Sequence, residues 1–350
     1  MEKTNRIEWV DIVKFVCIIM VIIAHLEART EVWVAFFTPF FLPAFFFTAG
    51  YVYKPGSSFK NFMYKKFRQL FVPWLIFSVL DIVMSQVITF NAHADLPVEM
   101  KWNVLQIRGC GDRLWFVAAL FIAFIPFYFF IRWYESHLRK LRRGYIIAVV
   151  LAFLLSIVGV LYTLLMPPDQ FPWKRNALPW HIEQVFEAMF YMVLGYMFRY
   201  NAEKQFDKCN TLQTRIIASA AYLLAVFVPF SLKTKFPAAM AVLHSYIITL
   251  VGIIMLISVA KTVKSNGYVN YVGQNTLIFF ALHGKVLSVV QALLKKFAAG
   301  WYAGILKNMV ESSIFCLGFA LIISAILIVP AYVINRWFPF IVGRTRIKRS

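Results

Sequence analysis

Three ionisable side chains of the first apolar stretch, RIEWVDIVKFVCIIMVIIAHLEA, have a spacing that could serve chemistry. They are Asp11, Lys14 and His25. On an α-helix, the eleven steps from Lys14 to His25 end about 20° from the starting face and roughly 16 Å further along the axis. Asp11 precedes Lys14 by three residues, a spacing at which a helical carboxylate can hold an ammonium group. Because ionisable groups are costly inside a membrane helix, this polar stripe indicates a functional site.

The stripe would suit an elongated ligand with an anionic head. Lys14 would hold the head near the cytoplasmic end of the helix, and His25 would meet the reactive tip towards the outer end. Imidazole is well suited to take a proton from a hydroxyl near neutral pH. A coenzyme A thioester has this shape, with phosphates at one end and the acyl group at the other. The structural alternative is that Lys14 reaches the inner headgroups and that His25 lies at the outer interface.

The composition excludes a soluble enzyme, a disordered chain and a coiled coil. Of the 350 residues, 61% are hydrophobic and 15% are charged, whereas a soluble domain is about 45–50% apolar. The mean hydropathy is +0.70. We therefore predict an all-α, polytopic transmembrane bundle of about ten helices. The apolar stretches are 9–27, 33–53, 69–90, 114–132, 145–166, 178–198, 215–232, 238–260, 271–293 and 313–338.

The formal net charge of +20 comes from Lys and Arg residues in the short segments between apolar stretches. With a cytoplasmic N-terminus, the inner segments hold 23 of these residues and the outer segments hold 12. This bias predicts that both termini are cytoplasmic, and it favours contact with membrane lipids over a nucleic-acid partner. We expect a single membrane-embedded domain over 1–350, with no separate soluble domain. We place it as a multi-pass protein of a bacterial plasma (inner) membrane. The His and Cys spacings predict no metal site.

Several motifs occur in an order typical of one family. Lys14 and His25 match an Arg/Lys-x10-His motif, and Lys65 with Arg68 match an Arg/Lys-x-x-Arg element. The other matching segments are FFTPFFLPAFFFTAGY (36–51), LWFV (114–117), FYMVLGYMFRY (190–200) and YVGQNTLIFFALHG (271–284). Together they resemble membrane-bound acyltransferase family 3, and the matches extend over most of the chain.

The resemblance implies a membrane O-acyltransferase, most simply an O-acetyltransferase. Its donor would be a cytoplasmic acyl-CoA, usually acetyl-CoA, and its acceptor a hydroxyl of a sugar or lipid-linked glycan of the cell envelope. His25 would be the catalytic base, and Lys14, Lys65 and Arg68 would contact the donor phosphates. The chain has Lys at two positions where Arg is common in the family, and Lys binds phosphate as a point charge without a bidentate fork.

Four further residues are candidates for the same site. Glu187 lies about two turns into the sixth stretch, where it would orient a histidine, bind sugar hydroxyls, pair with an arginine or play a purely structural part. With Asp11 and His25, we include it among the catalytic candidates. His283, Trp115 and Arg113 are the candidates for binding the acceptor, because sugar sites combine aromatic and polar side chains.

Two other classes of function remain open. The polar stripe would equally line the path of a transporter or flippase for an anionic or glycolipid envelope substrate. A subunit that assembles envelope-synthesis machinery without chemistry of its own is the third possibility. Within the acyltransferase hypothesis, direct transfer and a covalent acyl-histidine intermediate are both compatible with the sequence.

Overall fold

The computed structural model describes residues 7–89, 95–166, 171–232 and 237–344. In these ranges every regular element is helical. In chain order the α-helices are α1 (Glu8–Ala24), α2 (Glu31–Phe37), α3 (Phe41–Tyr51), α4 (Phe59–Lys66), α5 (Val72–Thr89), α6 (Leu96–Leu105), α7 (Trp115–Trp133), α8 (Gly144–Leu165), α9 (Ile182–Met197), α10 (Glu203–Cys209), α11 (Leu212–Leu232), α12 (Ala238–Ala260), α13 (Gly267–Gln274), α14 (Thr276–Phe297), α15 (Ala299–Lys307), α16 (Met309–Ile326) and α17 (Ile328–Trp337).

The prediction of a polytopic helical membrane bundle is confirmed. In the described part of the chain, eight helical segments are long and apolar enough to cross a membrane. Two more of the predicted stretches form the shorter helices α1 and α9, of 17 and 16 residues. The stretch predicted over 271–293 is divided at Asn275, which lies between α13 and α14 with φ −112° and ψ 19°. The segment therefore forms two successive helices, α13 and α14.

The described chain forms two compact units. Unit 1 comprises Met1–Phe45 and Lys204–Val333, and unit 2 comprises Phe46–Glu203 and Ile334–Ser350. In unit 1, α1 is the central helix, since it packs against α2, α12, α13, α14 and α16. Its side chains are buried on all faces from Trp9 to Val13 and again from Cys17 to Ile23. Side chains buried on all faces are typical of a helix in the centre of a bundle.

Gly273 allows α13 to pack directly on the backbone of α1. A Cβ at this position would collide with the carbonyl group of Asp11. Small residues permit this kind of close backbone approach between membrane helices. The contact therefore fixes how α13, and α14 after it, are placed against the helix that carries the polar stripe.

In unit 2, α9 packs against α7 and α8. The contact face of α8 consists of small residues at helical spacing, and its buried positions are Gly144, Ala148, Ala152, Ser156 and Gly159. The opposite face exposes branched apolar side chains such as Leu154 and Val158. This division is the one expected of a helix with protein on one side and lipid on the other.

Replacing Gly273 with alanine tests the α1–α13 contact. We expect a lower melting temperature of the purified protein in detergent, because overpacking a close contact costs about 1–3 kcal/mol. Gly284→Ala is the matched control on α14. A Cβ there meets nothing within 4 Å, and alanine is favoured over glycine in a helix by roughly 0.5–1 kcal/mol. Equal melting shifts for the two variants would contradict the contact.

Candidate active site

The structure brings two predicted site residues of unit 1 together. The ring centroids of His25 and His283 are 4.8 Å apart, with the ring planes at 71°. His25 is the residue that ends α1, and His283 lies on the second turn of α14. His283 is 7% exposed, whereas His25 is exposed. A reactant can therefore reach the first imidazole while the second supports it from the protein side.

The hydrogen bond of His25 sets its tautomer. Its Nδ1 lies 2.8 Å from the carbonyl oxygen of Val21, one turn earlier on α1. A carbonyl oxygen only accepts, so Nδ1 carries the hydrogen and donates it. In the neutral ring the lone pair then lies on Nε2, which is the nitrogen able to act as a base. His283 makes a similar local bond, from Nδ1 to the carbonyl oxygen of Phe280 at 2.7 Å.

The backbone after His25 is held by the C-terminal part of unit 1. Glu27 forms an ion pair with Lys295 on α14, and its carbonyl oxygen accepts a hydrogen bond from the Tyr302 hydroxyl. The backbone N–H of Arg29 donates to the Ser312 hydroxyl at 3.1 Å. The Glu27–Lys295 pair is solvent-exposed and adds little stability by itself. Together, these contacts fix the direction in which the chain leaves His25.

Asp11 and Lys14, the other members of the predicted polar stripe, lie nearer the N-terminus of α1. Asp11 is 7% exposed and Lys14 is half-buried. The helix is continuous from Glu8 to Ala24, so the spacing between Lys14 and the end of α1 is the helical one used in the sequence argument. The predicted stretch extended to residue 27, but the helix ends three residues earlier. His25 therefore lies at the helix end.

Lys65 and Arg68 lie on either side of a change in helix type in unit 2. Lys65 belongs to the last turn of α4, and Arg68 lies in a π-helical turn, Phe67–Phe71, that continues into α5. Single π turns within helices are frequent at functional sites. Two cations of this segment lie over aromatic rings: the ammonium group of Lys66 is 3.8 Å from the centroid of the Phe124 ring, and the guanidinium carbon of Arg68 is 5.9 Å from that of Tyr64.

Trp115 belongs to a cluster at the start of α7. The guanidinium carbon of Arg108 lies 3.8 Å from its ring centroid, and the ring of His181 lies 5.4 Å away. His181 is fully buried in the turn before α9, and burial together with the charge of Arg108 lowers its pKa to about 4. Its 3.7 Å contact with Asp112 therefore involves a neutral imidazole.

Arg113 joins two carboxylates of unit 2. One guanidinium nitrogen contacts Asp81, and the other lies 2.5 Å from Glu99. The backbone oxygen of Arg113 also accepts a hydrogen bond from the indole of Trp74 at 3.2 Å. These contacts give Arg113 a strong structural role at the position where we predicted contact with the acceptor.

Glu187 lies inside α9 and is half-buried. The neighbouring carboxylate, Glu183, accepts a hydrogen bond from the backbone N–H of Leu178 at 2.9 Å and so holds the turn that leads into α9. In the described ranges, no group of three His, Cys, Asp or Glu side chains could hold a metal ion.

Comparison with protein-family models identifies the family. An acyltransferase-domain model, that of acyltransferase family 3, matches residues 7–336, which is nearly the whole chain. The chain belongs to acyltransferase family 3. With its apolar helices, it is a multi-pass membrane acyltransferase. Comparisons with curated proteins and with solved structures found no match.

The sequence argument for this acyltransferase missed two features of its candidate site. It did not place His181 beside Trp115, because 66 positions of sequence separate them and no periodic pattern links a turn to a distant helix start. It also did not predict the π-helical turn, Phe67–Phe71, that contains Arg68. A sequence signal was present in the first case, since Trp180 and His181 directly precede the apolar run of α9, where a buried imidazole is unusual.

Substituting Arg113 distinguishes its structural role from acceptor binding. We expect Arg113→Gln to lower the melting temperature, because two partly buried carboxylates lose their shared partner, at a cost of about 1–3 kcal/mol. Adding Asp81→Asn to this variant should restore part of the loss. Arg108→Gln is the control from the same loop. An unchanged melting temperature with a raised acceptor KM would instead support the predicted acceptor contact.

Proposed function

We propose that this protein is an O-acyltransferase. It moves an acyl group, most simply acetyl, from cytoplasmic acyl-CoA to a hydroxyl of a sugar or lipid-linked envelope glycan. The observation that carries the proposal is the Nδ1 hydrogen bond from His25 to Val21, which leaves Nε2 as the basic nitrogen of an exposed imidazole. Family membership supplies the reaction class.

The proposed reaction is a direct acyl transfer. Nε2 of His25 takes the proton of the acceptor hydroxyl while the hydroxyl oxygen attacks the thioester carbonyl carbon. The C–O bond forms, the C–S bond breaks, and the thiolate of coenzyme A takes the proton from the imidazolium. Base and acid are thus the same nitrogen at successive steps, and the side chain returns to its initial state.

His283 has a supporting part in this proposal. Its ring packs edge-on against His25 and is anchored through Nδ1 to Phe280. His283 would therefore orient the base, and it remains the candidate for contact with the acceptor hydroxyl.

Lys14, Lys65 and Arg68 would bind the donor phosphates. Lys14 precedes His25 by a helical rise of roughly 16 Å, which suits an extended cofactor arm between phosphate and thioester. Lys65 and Arg68, which belong to unit 2, remain the other candidates for contact with the donor phosphates. Asp11 is expected to hold the ammonium of Lys14, and Glu187 is a further carboxylate that would orient the acceptor.

Removing the imidazole of His25 tests the proposed base. We expect His25→Ala to lower kcat for acetyl transfer by about 10²–10⁴-fold, the usual contribution of a general base. The melting temperature should stay close to that of the wild type. The assay measures release of free coenzyme A and acylation of an envelope glycan extract. His244→Ala removes an imidazole from α12 and is the matched control.

Unchanged acyl transfer in His25→Ala would refute the catalytic assignment. A wild-type protein that moves a labelled glycolipid across vesicles without releasing coenzyme A would favour the transporter hypothesis instead.

Neutralising Lys14 tests donor binding. We expect Lys14→Gln to raise the KM for acetyl-CoA about tenfold with a smaller change in kcat, because a charge-assisted contact to phosphate contributes about 1.5–3 kcal/mol. The wild-type KM should rise with salt, and the variant should show a weaker salt dependence. Lys14→Arg keeps the charge and is the control. Equal KM values for Lys14→Gln and the wild type would refute the contact.

A further inference from the structure

Unit 1 has a groove on its exposed side, between α11 and the C-terminal end of α12. Its volume is about 420 Å³, within the range of roughly 300–1,000 Å³ typical of small-molecule sites. All of its lining residues belong to unit 1, and none is a candidate for the catalytic site. They are Leu212, Arg215, Ile216, Ser219, Ala220, Leu223, Val259 and Thr262.

The walls of this groove are apolar and face away from the protein. Ile216 and Leu223 of α11 and Val259 of α12 are exposed, and the small side chains of Ser219 and Ala220 lie between the two α11 residues. The segment Leu212–Pro229 is long and apolar enough to cross a membrane, yet only 11% of it is buried within the protein. The groove is therefore open to the hydrocarbon of the membrane.

Polar contacts hold the start of α11 against the end of α12. The side-chain amide of Asn210, in the connection between α10 and α11, donates to the carbonyl oxygen of Ser258 at 3.1 Å. The ammonium group of Lys261 lies 2.7 Å from a carboxylate oxygen of Asp207. Because these contacts tie the two helix ends together, the groove between them is formed before any ligand binds.

Arg215 provides a cation within the lining of the groove. Its side chain is half-buried, and its Nε donates to the carbonyl oxygen of Thr211, one turn earlier, at 3.1 Å. Within the described ranges its guanidinium group makes no ion pair with a carboxylate. A guanidinium has five N–H groups, so the groups on its two terminal nitrogens can bind an anion while Nε fixes the orientation of the side chain.

The length of the groove corresponds to one leaflet of a bilayer. On α11 the lining extends from Leu212 to Leu223, and these eleven helical steps give a rise of roughly 16 Å. The hydrocarbon core of a membrane is about 30 Å thick, so one leaflet takes up half of that distance. Arg215 lies near the start of α11, in a segment that we predict to be cytoplasmic. The cation is thus placed at the headgroup level, with apolar walls above it.

The segments at this end of the groove carry an excess of positive charge. Residues 204–215 contain three Lys or Arg residues and one acidic residue, Asp207, and residues 261–270 contain two Lys and no acidic residue. Asp207 is already paired with Lys261. Basic segments at a membrane surface attract anionic lipids, whose headgroups carry the opposite charge.

We propose that this groove binds one anionic phospholipid of the inner leaflet. Its phosphate would pair with the guanidinium group of Arg215, and one acyl chain would lie between the α11 side chains and Val259. A free phosphate would use only the charged end of the groove, whereas a phospholipid matches both the charge and the apolar length. The lipid would be a bound partner and not a reactant, so this proposal is independent of the proposed function.

Lipid binding to the purified full chain tests the proposal. Native mass spectrometry in detergent gives the Kd of the first molecule of dioleoyl-phosphatidylglycerol or dioleoyl-phosphatidylcholine that binds. We expect the wild type to prefer phosphatidylglycerol at least tenfold. Arg215→Gln should raise the Kd for phosphatidylglycerol about tenfold, because a charge-assisted contact is lost. Lys208→Gln removes an exposed cation of the same segment outside the lining and should change this Kd less than threefold.

A second variant blocks the apolar part of the groove without disturbing the protein interior. Ala220 is exposed, so Ala220→Phe should leave the melting temperature in lipid-free detergent unchanged. We expect it to raise the Kd for phosphatidylglycerol at least tenfold. Ala221→Phe is the matched control, because Ala221 is also exposed but does not line the groove. It should bind the lipid like the wild type.

Three results would overturn the proposal. Equal weakening by Arg215→Gln and Lys208→Gln would indicate diffuse electrostatic attraction. Competition by glycerol 3-phosphate at the same concentration as the whole lipid would show that the acyl chain has no part in binding. A wild-type dimer in detergent that dissociates in Ala220→Phe would show that a second copy of the chain covers the groove.

Discussion

The contact between α1 and the α13–α14 segment determines the geometry of the catalytic half of unit 1. It has two points, Gly273 against the backbone of Asp11 and His283 against His25. Gly273 and His283 are ten positions apart on the α13–α14 segment. Asp11 and His25 are fourteen positions apart on the α1 segment, so the two segments run in the same direction. The break at Asn275 divides the α13–α14 segment between these points. A second contact between α1 and α13, the edge-on packing of the Phe15 and Tyr268 rings at 5.5 Å, supports the same placement.

Unit 2 contains two kinds of irregular backbone, residues with positive φ and π-helical turns. The non-glycine residues with positive φ in the described chain are Gln106, Leu114, Lys174, Trp180 and His181. Gln106 and Lys174 lie in connections of unit 2 that we predict to face outwards, and Leu114, Trp180 and His181 lie at the outer starts of the stretches predicted over 114–132 and 178–198. The π-helical turns of the same unit, Phe67–Phe71, Tyr134–Leu138 and Phe198–Ala202, lie at the predicted inner ends of helices. Strained backbone persists where the surrounding structure holds it, which often occurs at functional sites. In this protein such features occur at both predicted membrane surfaces.

Hydropathy predicted the helical bundle, and residue spacing predicted the polar stripe on α1, because both patterns are local in the sequence. They could not place Gly273 against Asp11, since a glycine that permits backbone contact has the same local pattern as one that does not, as Gly284 demonstrates. Contacts between distant segments were also beyond local patterns. An example is the hydrogen bond from the Tyr128 hydroxyl to the carbonyl oxygen of Ser57, which is 71 positions away in the sequence. The end of α1 at Ala24 was not predicted either, because no glycine or proline follows it to mark the end of the helix.

The end of α1 at His25 has a chemical consequence. The last carbonyl groups of a helix carry a partial negative charge, and this favours a cation at the helix C-terminus. The Val21 carbonyl accepts Nδ1–H whether the imidazole is neutral or protonated, so the proposed transfer changes only Nε2. The imidazolium through which that transfer would pass forms beside the partial negative charge of the helix end.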